Sequence, residues 1–298
     1  MKKRRINKKL VLIIVVLVLL TLAGCQSNTN SDGTIKAEKI IYLTTSWGSI
    51  WESDGLFTFI FVYPLAQCIN FLAQYVDIIL AITFTTIILN VLLLSASIKS
   101  TIASQKMQMM QPELAKIQEK YKDRSDETAK MAQATEMQNL YKKNNINPLS
   151  SMLVPFLQLP ILISMYYAVQ RANAVVTGSV FGMELTTTPW AAFKLGGSGY
   201  ILFAIYILMG VAQFGSSKIT QWLSNKKEKE NHSIKQYDKP ANSTQGSMNM
   251  MMYGMLVLIM VMAINWPTAM SLYWLISSVV NILKTIFIQK RYIDNAKA

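Results

Sequence analysis

The sequence contains a single histidine and only two cysteines among its 298 residues. The histidine, His232, stands in the charged run KKEKENHSIK, where a lone imidazole is usually solvated rather than a ligand. A zinc site or a Ser-His-Asp triad would therefore lack parts. No nucleophile–base pair lies in any apolar run either. These absences predict a protein that is not an enzyme and that holds no metal or other cofactor.

Charge is also scarce, since 15% of the residues are charged and 52% are hydrophobic. The mean hydropathy of +0.28 lies outside the usual range of soluble domains. A net charge of +13 would suit a nucleic-acid-binding protein. However, the lysines cluster between long apolar runs. The composition therefore predicts a membrane protein without direct nucleic-acid specificity.

The N-terminus has the features of an export signal. The basic head MKKRRINKKL precedes a short apolar core at Val11–Leu20, and LAGC follows at Leu22–Cys25. This pattern resembles a bacterial lipoprotein signal, which predicts a signal peptide at 1–24 and a lipid such as palmitate on Cys25. The alternative is an uncleaved signal anchor with an incidental cysteine. With Cys25 lipidated, Cys68 is the one thiol left, which excludes a disulfide within the chain.

Long apolar runs predict the architecture. A helix needs about 20 apolar residues to cross the hydrocarbon core of a bilayer. Five runs in the mature chain meet this need, which predicts an all-α membrane protein with five transmembrane helices. The predicted spans are 77–98, 149–170, 200–222, 248–264 and 268–289.

Basic residues set the orientation, because lysine and arginine are enriched in cytoplasmic loops. They crowd the segments after the first and third spans, and Lys290, Arg291 and Lys297 lie at the C-terminal end, whereas 26–75 and 171–199 together hold four. The two basic loops and the short tail 293–298 are thus predicted to be cytoplasmic. The lipidated N-terminal segment 25–55 is predicted to lie outside a plasma membrane that the chain crosses several times.

The region 56–75 is apolar but contains Pro64. We predict that it forms an amphipathic helix on the outer membrane surface. A sixth span at this position would move the N-terminus to the cytoplasm, against the export signal.

The cytoplasmic segment 99–146 has a helical periodicity of its own. Apolar residues at spacings of three and four predict a first helix with one apolar face, formed by Met107, Met110, Leu114, Ile117 and Tyr121. The turn KDRSD follows, with Ser125 as the predicted N-cap of a second helix. The apolar stripe of that helix is Met131, Ala134, Met137 and Tyr141.

These two stripes predict a charged helical hairpin. Either it is a solvated surface element, or its basic side chains engage lipid head groups or a partner. The polar segment Ser224–Ser247 between the third and fourth spans is predicted to be flexible.

Three motifs in the apolar and hairpin segments resemble one family. They are NPLSSMLVPFLQLPILISMYYAV at Asn147–Val169, MQPELAKIQEKYK at Met110–Lys122, and NWPTAMSLYWLISSVVNIL at Asn265–Leu283. By these motifs and their order along the chain, the sequence resembles the YidC/Oxa/Alb membrane protein insertases. It specifically resembles a divergent paralogue of their Gram-positive lipoprotein type. The resemblance covers roughly Leu56–Tyr292 and implies an insertase core at 76–292.

The resemblance implies a chaperone that inserts and folds nascent transmembrane segments, and lipoproteins among its clients, through a hydrophilic groove in the membrane. It implies action alone or with the Sec translocon, contact with membrane lipids, and a ribosome bound through the cytoplasmic loops. The hairpin residues that match the family motif are Met110, Pro112, Leu114, Ile117 and Tyr121.

One position departs from the family pattern. The family has an arginine in its first core span, shortly before a proline, and alignment of LNVLLLSA places Asn90 on the arginine and Ser95 on the proline. The implied groove is therefore polar but without a fixed positive charge. Its predicted lining is Asn90, Thr83, Thr86, Ser97, Gln158, Ser164, Gln213, Tyr273 and Trp274.

Other interpretations of these residues stay open. Asn90 can form a helix–helix hydrogen bond inside a packed bundle, worth about 0.5–2 kcal/mol. Tyr273 and Trp274 can be ordinary interfacial anchors. Lys99 and Lys284 could replace the missing cation, but both positions favour side chains that extend to the cytoplasmic interface.

The alternative functions are a specialised assembly factor of the same fold with a narrow client set, and a small transporter or channel. A transporter predicts paired charges at mid-membrane or repeated broken helices, and the sequence has neither.

Overall fold

A computed structural model describes residues 35–124, 126–144, 148–231 and 243–294. These residues are mostly helical with one short β-hairpin, which is consistent with the predicted all-α class. The predicted signal peptide, the predicted lipidation site Cys25, His232 and Ser125 lie outside the described residues.

The helices, in chain order, are α1 (Trp47–Phe57), α2 (Tyr63–Leu72), α3 (Ile78–Leu92), α4 (Leu94–Met109), α5 (Gln111–Lys120), α6 (Glu127–Lys143), α7 (Pro148–Arg171), α8 (Asn173–Val176), α9 (Pro189–Leu195), α10 (Gly199–Asn231), α11 (Ser243–Ala263) and α12 (Thr268–Ile288). A 3₁₀ turn precedes α1 at Ala37–Lys39, and π-helical turns occupy Thr58–Val62 and Gln289–Asp294. The strands β1 (Ser179–Val180) and β2 (Met183–Glu184) form an antiparallel hairpin between α8 and α9.

The chain divides into two compact units. Unit 1 consists of Met1–Leu89, Pro155–Met209 and Met262–Ser277, and unit 2 of Asn90–Val154, Gly210–Val261 and Ser278–Ala298. The long helices α3, α7, α10, α11 and α12 contribute residues to both. The buried apolar core of unit 1 is built from α1, α2, α3, α7, α10 and α12.

Three described segments are long and apolar enough to cross a membrane, namely Trp47–Leu72, Gly199–Leu223 and Thr268–Arg291. The helical stretches Ile78–Leu92 and Tyr253–Ala263 are apolar but shorter. These helices support a multi-pass membrane protein, while the count of five spans stays a prediction.

The segment Trp47–Leu72 overlaps the predicted surface helix 56–75 over residues 56–72. It is not one straight helix, because Gly55 has φ 76° and ψ 179°, a conformation that glycine adopts readily. Its position on the outer surface stays a prediction, since its length and composition would also allow it to cross.

Two helix boundaries differ from the sequence-based prediction. The predicted span 77–98 is divided, because α3 ends at Leu92 and α4 begins at Leu94. The segment Ser224–Ser247 is helical at both ends, since α10 continues to Asn231 and α11 begins at Ser243. The run KKEKE consists of good helix formers, which explains the extension of α10.

The predicted helical hairpin is formed by α5 and α6, and its first helix is shorter than predicted. The stripe from Met107 to Tyr121 is interrupted at Met110, since Pro112 occupies the first turn of α5. Proline has no amide hydrogen and its ring clashes with the carbonyl four residues earlier, so a helix restarts at this position.

The second predicted stripe of the hairpin is partly wrong. Met131 is 68% exposed and Ala134 is also exposed, whereas Ala129 is the buried residue of α6. The N-cap is Asp126 rather than Ser125. An exposed ion pair joins the two helices, with Lys120 Nζ 2.9 Å from Glu136 Oε2.

We expect Asp126→Ala to destabilise the first turn of α6. The Asp126 carboxylate accepts hydrogen bonds from the Thr128 hydroxyl and from Ala129 N at 3.1 Å. Loss of an N-cap of this kind should lower amide protection around Ala129 by about fivefold, as measured by hydrogen exchange on the full chain. Asp126→Asn should keep most of the protection, and unchanged protection in Asp126→Ala would contradict this role.

The stabilisation of α6 by its N-cap Asp126 depends on pH. The hydrogen bonds from Thr128 and from Ala129 N hold the pKa of the Asp126 carboxyl below its ordinary value. The stabilisation is therefore complete above the ordinary aspartate pKa and is lost as the pH falls through the lowered value.

Candidate functional site

The hydroxyl groups predicted to line a groove in unit 1 form hydrogen bonds within their own helices. Thr83, Thr86 and Ser164 each donate to the carbonyl oxygen four residues earlier, at 2.7, 2.8 and 2.5 Å. Thr86 and Ser164 are buried, and Thr83 is half-buried. This local bonding satisfies a hydroxyl donor without a second helix. The role of these three residues in a groove stays a prediction.

Two other predicted groove residues of unit 1 meet each other. The Gln158 amide Nε2 on α7 donates to the Tyr273 hydroxyl oxygen on α12 at 3.5 Å. Gln158 is exposed, whereas Tyr273 is buried. An amide has two donors and an acceptor with two lone pairs, so Gln158 keeps hydrogen-bonding capacity beyond this contact.

Aromatic rings pack beside the same part of α12. The half-buried Trp274 stacks on Trp266 with ring centroids 5.4 Å apart, and Trp266 contacts Tyr166 of α7 at 4.8 Å. The rings present a broad apolar surface with polar edges, which suits contact with varied apolar segments. The structure therefore places one amide, one phenol and three large rings on α7, α12 and the turn before α12.

The remaining predicted groove residues belong to unit 2. Gln213 Oε1 on α10 accepts a hydrogen bond from the buried Ser278 hydroxyl on α12 at 2.5 Å. Asn90 is half-buried. The side chain of Ser97 lies outside the described residues. Because the predicted lining is divided between two units, a single groove that contains all of it stays a prediction.

The hairpin residues of the family motif differ in exposure. Met110 and Leu114 are 6% and 3% exposed, so both are used in packing within unit 2. Ile117 and Tyr121 are half-buried, and the side chain of Pro112 lies outside the described residues. The exposed side chains of the hairpin, which a partner could contact, are mostly charged.

The sequence analysis missed a buried ion cluster in unit 1. Asp54 Oδ2 lies 2.8 Å from Arg171 Nη2, and Asp54 Oδ1 lies 2.7 Å from Lys39 Nζ. Arg171 Nε also donates to the Lys39 carbonyl oxygen at 2.6 Å. Arg171 is only 1% exposed. These residues are far apart in sequence, and no local spacing pattern relates them.

Backbone hydrogen bonds support the cluster. Ile41 N donates to the Arg171 carbonyl oxygen at 2.7 Å, and Asn173 N donates to the Ile41 carbonyl oxygen at 3.0 Å. The Asn70 side chain bridges the same segments, because its Nδ2 donates to the Ile41 carbonyl oxygen and its Oδ1 accepts from Ala174 N. The end of α7 is thereby joined to the segment before α1.

Metal ligation has no candidate in the part of the chain that the structure describes, where no three histidine, cysteine or acidic side chains come together. The expectation that the protein needs no metal stays a prediction.

Comparison with known proteins assigns the family. The model of the family described as 60Kd inner membrane protein matches residues 70–296. Membrane protein insertase YidC 2 of Bacillus anthracis is 32% identical over 98% of both chains. Membrane protein insertase YidC of Oceanobacillus iheyensis is 32% identical over 80% of this chain and 86% of its own. Membrane protein insertase MisCA of Bacillus subtilis is 29% identical over 96% of this chain and 92% of its own. The chain thus belongs to the 60Kd inner membrane protein family, the YidC/Oxa/Alb membrane protein insertases.

Proposed function

We propose that this protein inserts and folds nascent transmembrane segments in the plasma membrane through a neutral hydrophilic groove. The observation that carries the proposal is the similarity to a protein named membrane protein insertase YidC 2 over 98% of both chains. Nascent membrane proteins, and lipoproteins among them, are the proposed clients. The Sec translocon is a proposed partner for some of them.

The chemistry of the described polar residues is consistent with such a groove. A client helix that is half inserted leaves polar groups in hydrocarbon, where each unpaired group costs several kcal/mol (about 2–7). Side chains that offer hydrogen bonds within the membrane reduce this cost. Gln158 beside Tyr273 can act in this way in unit 1, and Gln213 beside Ser278 in unit 2.

The charge of the groove follows from Asn90. An asparagine offers two donors and an acceptor but no net charge, so it can satisfy polar groups of either kind. A groove arginine would instead attract acidic segments over a longer distance. We propose that this protein relies on hydrogen bonding and does not select clients for acidic outer ends.

The proposed placement has Cys25 lipidated on the outer surface and the tail in the cytoplasm. The hairpin of α5 and α6 then stands in the cytoplasm. Its exposed lysines, among them Lys130 and Lys142, are available to anionic lipid head groups and to a ribosome.

A specialised assembly factor is the second candidate function, and the observation that favours it is the same Asn90. If general insertion requires a groove cation, a paralogue without one would serve only a narrow client set. The first experiment below separates the two candidates.

We expect the native protein to restore growth and insertion of a single-span reporter when the host's own insertase is depleted. Asn90→Arg should insert the reporter equally well. Asn90→Leu should lower insertion by about three- to tenfold, since an intramembrane hydrogen-bonding side chain is lost. The measurement is protease protection of the reporter's translocated end at matched membrane levels of each variant.

Ile88→Arg is the control, because it places the same charge on an exposed position of α3 two residues from Asn90. Rescue by Asn90→Arg alone would favour the specialised factor over the general insertase. Failure of every variant at normal membrane levels would contradict the insertase proposal itself.

We expect a cysteine scan to place both ends of the α1–α2 segment outside. In a Cys68→Ser background, Glu52→Cys and Gln74→Cys each put one thiol on an exposed residue. A surface helix predicts that an impermeant maleimide labels both thiols in intact cells. Labelling of only one would show that Trp47–Leu72 crosses the membrane and would overturn the predicted topology.

A further inference from the structure

One end of unit 1 carries a compact cap made from separate parts of the chain. We define the N-terminal cap as residues 35–72 together with the end of α7 and α8 (Asn173–Val176). Its centre is dry, since Ile41, Val62, Ala172 and Val175 are fully buried. The ion cluster of Lys39, Asp54 and Arg171 lies in this cap.

The cluster is held by three elements at once. Lys39 ends the 3₁₀ turn, Asp54 lies on α1, and Arg171 is the last residue of α7. The side chains of Asp54 and Arg171 are 3% and 2% exposed, and that of Lys39 is 15% exposed. A buried charge is tolerated only when it is paired and hydrogen-bonded, so moving one of the three elements away would leave a buried charge without a partner.

A second set of contacts fastens the same segment to α2. Three side chains one or two helical turns apart donate to backbone carbonyl oxygens of residues 41–45, and so share one face of α2. They are Tyr63, at 2.6 Å from the Thr45 oxygen, Gln67, at 2.8 Å from the Tyr42 oxygen, and Asn70, at 2.7 Å from the Ile41 oxygen. The segment before α1 is thus fixed across α2 and the end of α7.

Apolar side chains of α7 belong to the same buried core as Ile41, Val62 and Ala172 of the cap. Met165, Ala168 and Val169 are fully buried, and the last of them lies two residues before Arg171. Water that reached these residues would have to enter the core that they share with the cap.

We propose that the ion cluster keeps the outer end of unit 1 closed, and that Lys39, Asp54 and Arg171 are positioning residues for insertion. The sidedness rests on the proposed function, in which the N-terminal segment lies outside. In this arrangement the described segment before α1, residues 35–46, forms part of the closure. The cluster fixes the outer end of α7, whose other turns carry Gln158 and Ser164.

The test measures access from the outer solution to a buried thiol. In a Cys68→Ser background, Val169→Cys places a small side chain at a fully buried position below the cluster. The probe is an impermeant maleimide added to intact cells, and the parent without Val169→Cys measures the background from Cys25. We expect slow labelling of the thiol introduced by Val169→Cys when the ion cluster is intact.

Arg171→Gln and Asp54→Asn should each raise the labelling rate by about tenfold or more, because the first removes the partner of one Asp54 oxygen and the second leaves the buried Arg171 without its carboxylate. The double variant Asp54→Asn with Arg171→Gln removes both charges and lets Lys39 turn to solvent. It should label more slowly than the faster single variant. Lys120→Gln, at an exposed ion pair of unit 2, should leave labelling unchanged.

Leu202→Ala separates closure from general loosening, because it removes a fully buried side chain of unit 1 outside the cap. Each variant's thermal stability is measured in detergent. If Leu202→Ala and Arg171→Gln have the same thermal unfolding midpoint and also label at the same rate, labelling depends on stability alone. That result would overturn the proposal. Unchanged labelling in both single variants would also overturn it.

The assay does not require insertion activity, so the two proposals fail separately. A parent that inserts no reporter but shows the expected labelling would contradict the proposed function and leave the closure intact. A parent that inserts normally and labels rapidly would contradict the closure alone. If the cluster positions α7 for insertion, the single variants should also lower reporter insertion, and the double variant should recover part of it.

Discussion

The pairing of one buried carboxylate constrains unit 1 more than any other interaction. Asp54 is enclosed with Arg171 and Lys39, and a charge in such surroundings is tolerated only with partners on both oxygens. Because the partners come from the 3₁₀ turn and the end of α7, the cluster forces the N-terminal segment to fold back on the helices. The backbone pairing of Ile41 with Arg171 and Asn173 follows from the same approach.

A second constraint governs the polar side chains inside the helices. A threonine or serine hydroxyl can donate to the carbonyl of the preceding turn, and Thr83, Thr86 and Ser164 do so. An amide has more donors and acceptors than one turn can satisfy. Gln158 and Gln213 accordingly contact side chains of α12. Amides are thus the side chains with hydrogen-bonding capacity left for a client.

Much of the fold could be predicted from local patterns. The helices near the predicted spans follow from apolar runs, and the hairpin follows from the periodicity of its apolar residues. The errors were also local in origin. The spacing of the apolar residues predicted one continuous helix and did not account for Pro112, where one helix ends and another begins. It also assigned Met131 to the packed face of α6, where packing placed Ala129 instead. The similarity to relatives assigned the family through motifs that the sequence already showed.

The sequence by itself determined the membrane class, the helical content, the insertase motifs and the neutral residue at position 90, because these depend on composition, period and residue identity. Only the tertiary structure decided which polar groups meet. Arg171 pairs with Asp54 over 117 residues, and Ser278 pairs with Gln213 over 65 residues. Such pairs produce no periodic pattern in the sequence. Their energy depends on the distance between side chains and on burial, which exist only after the chain has folded.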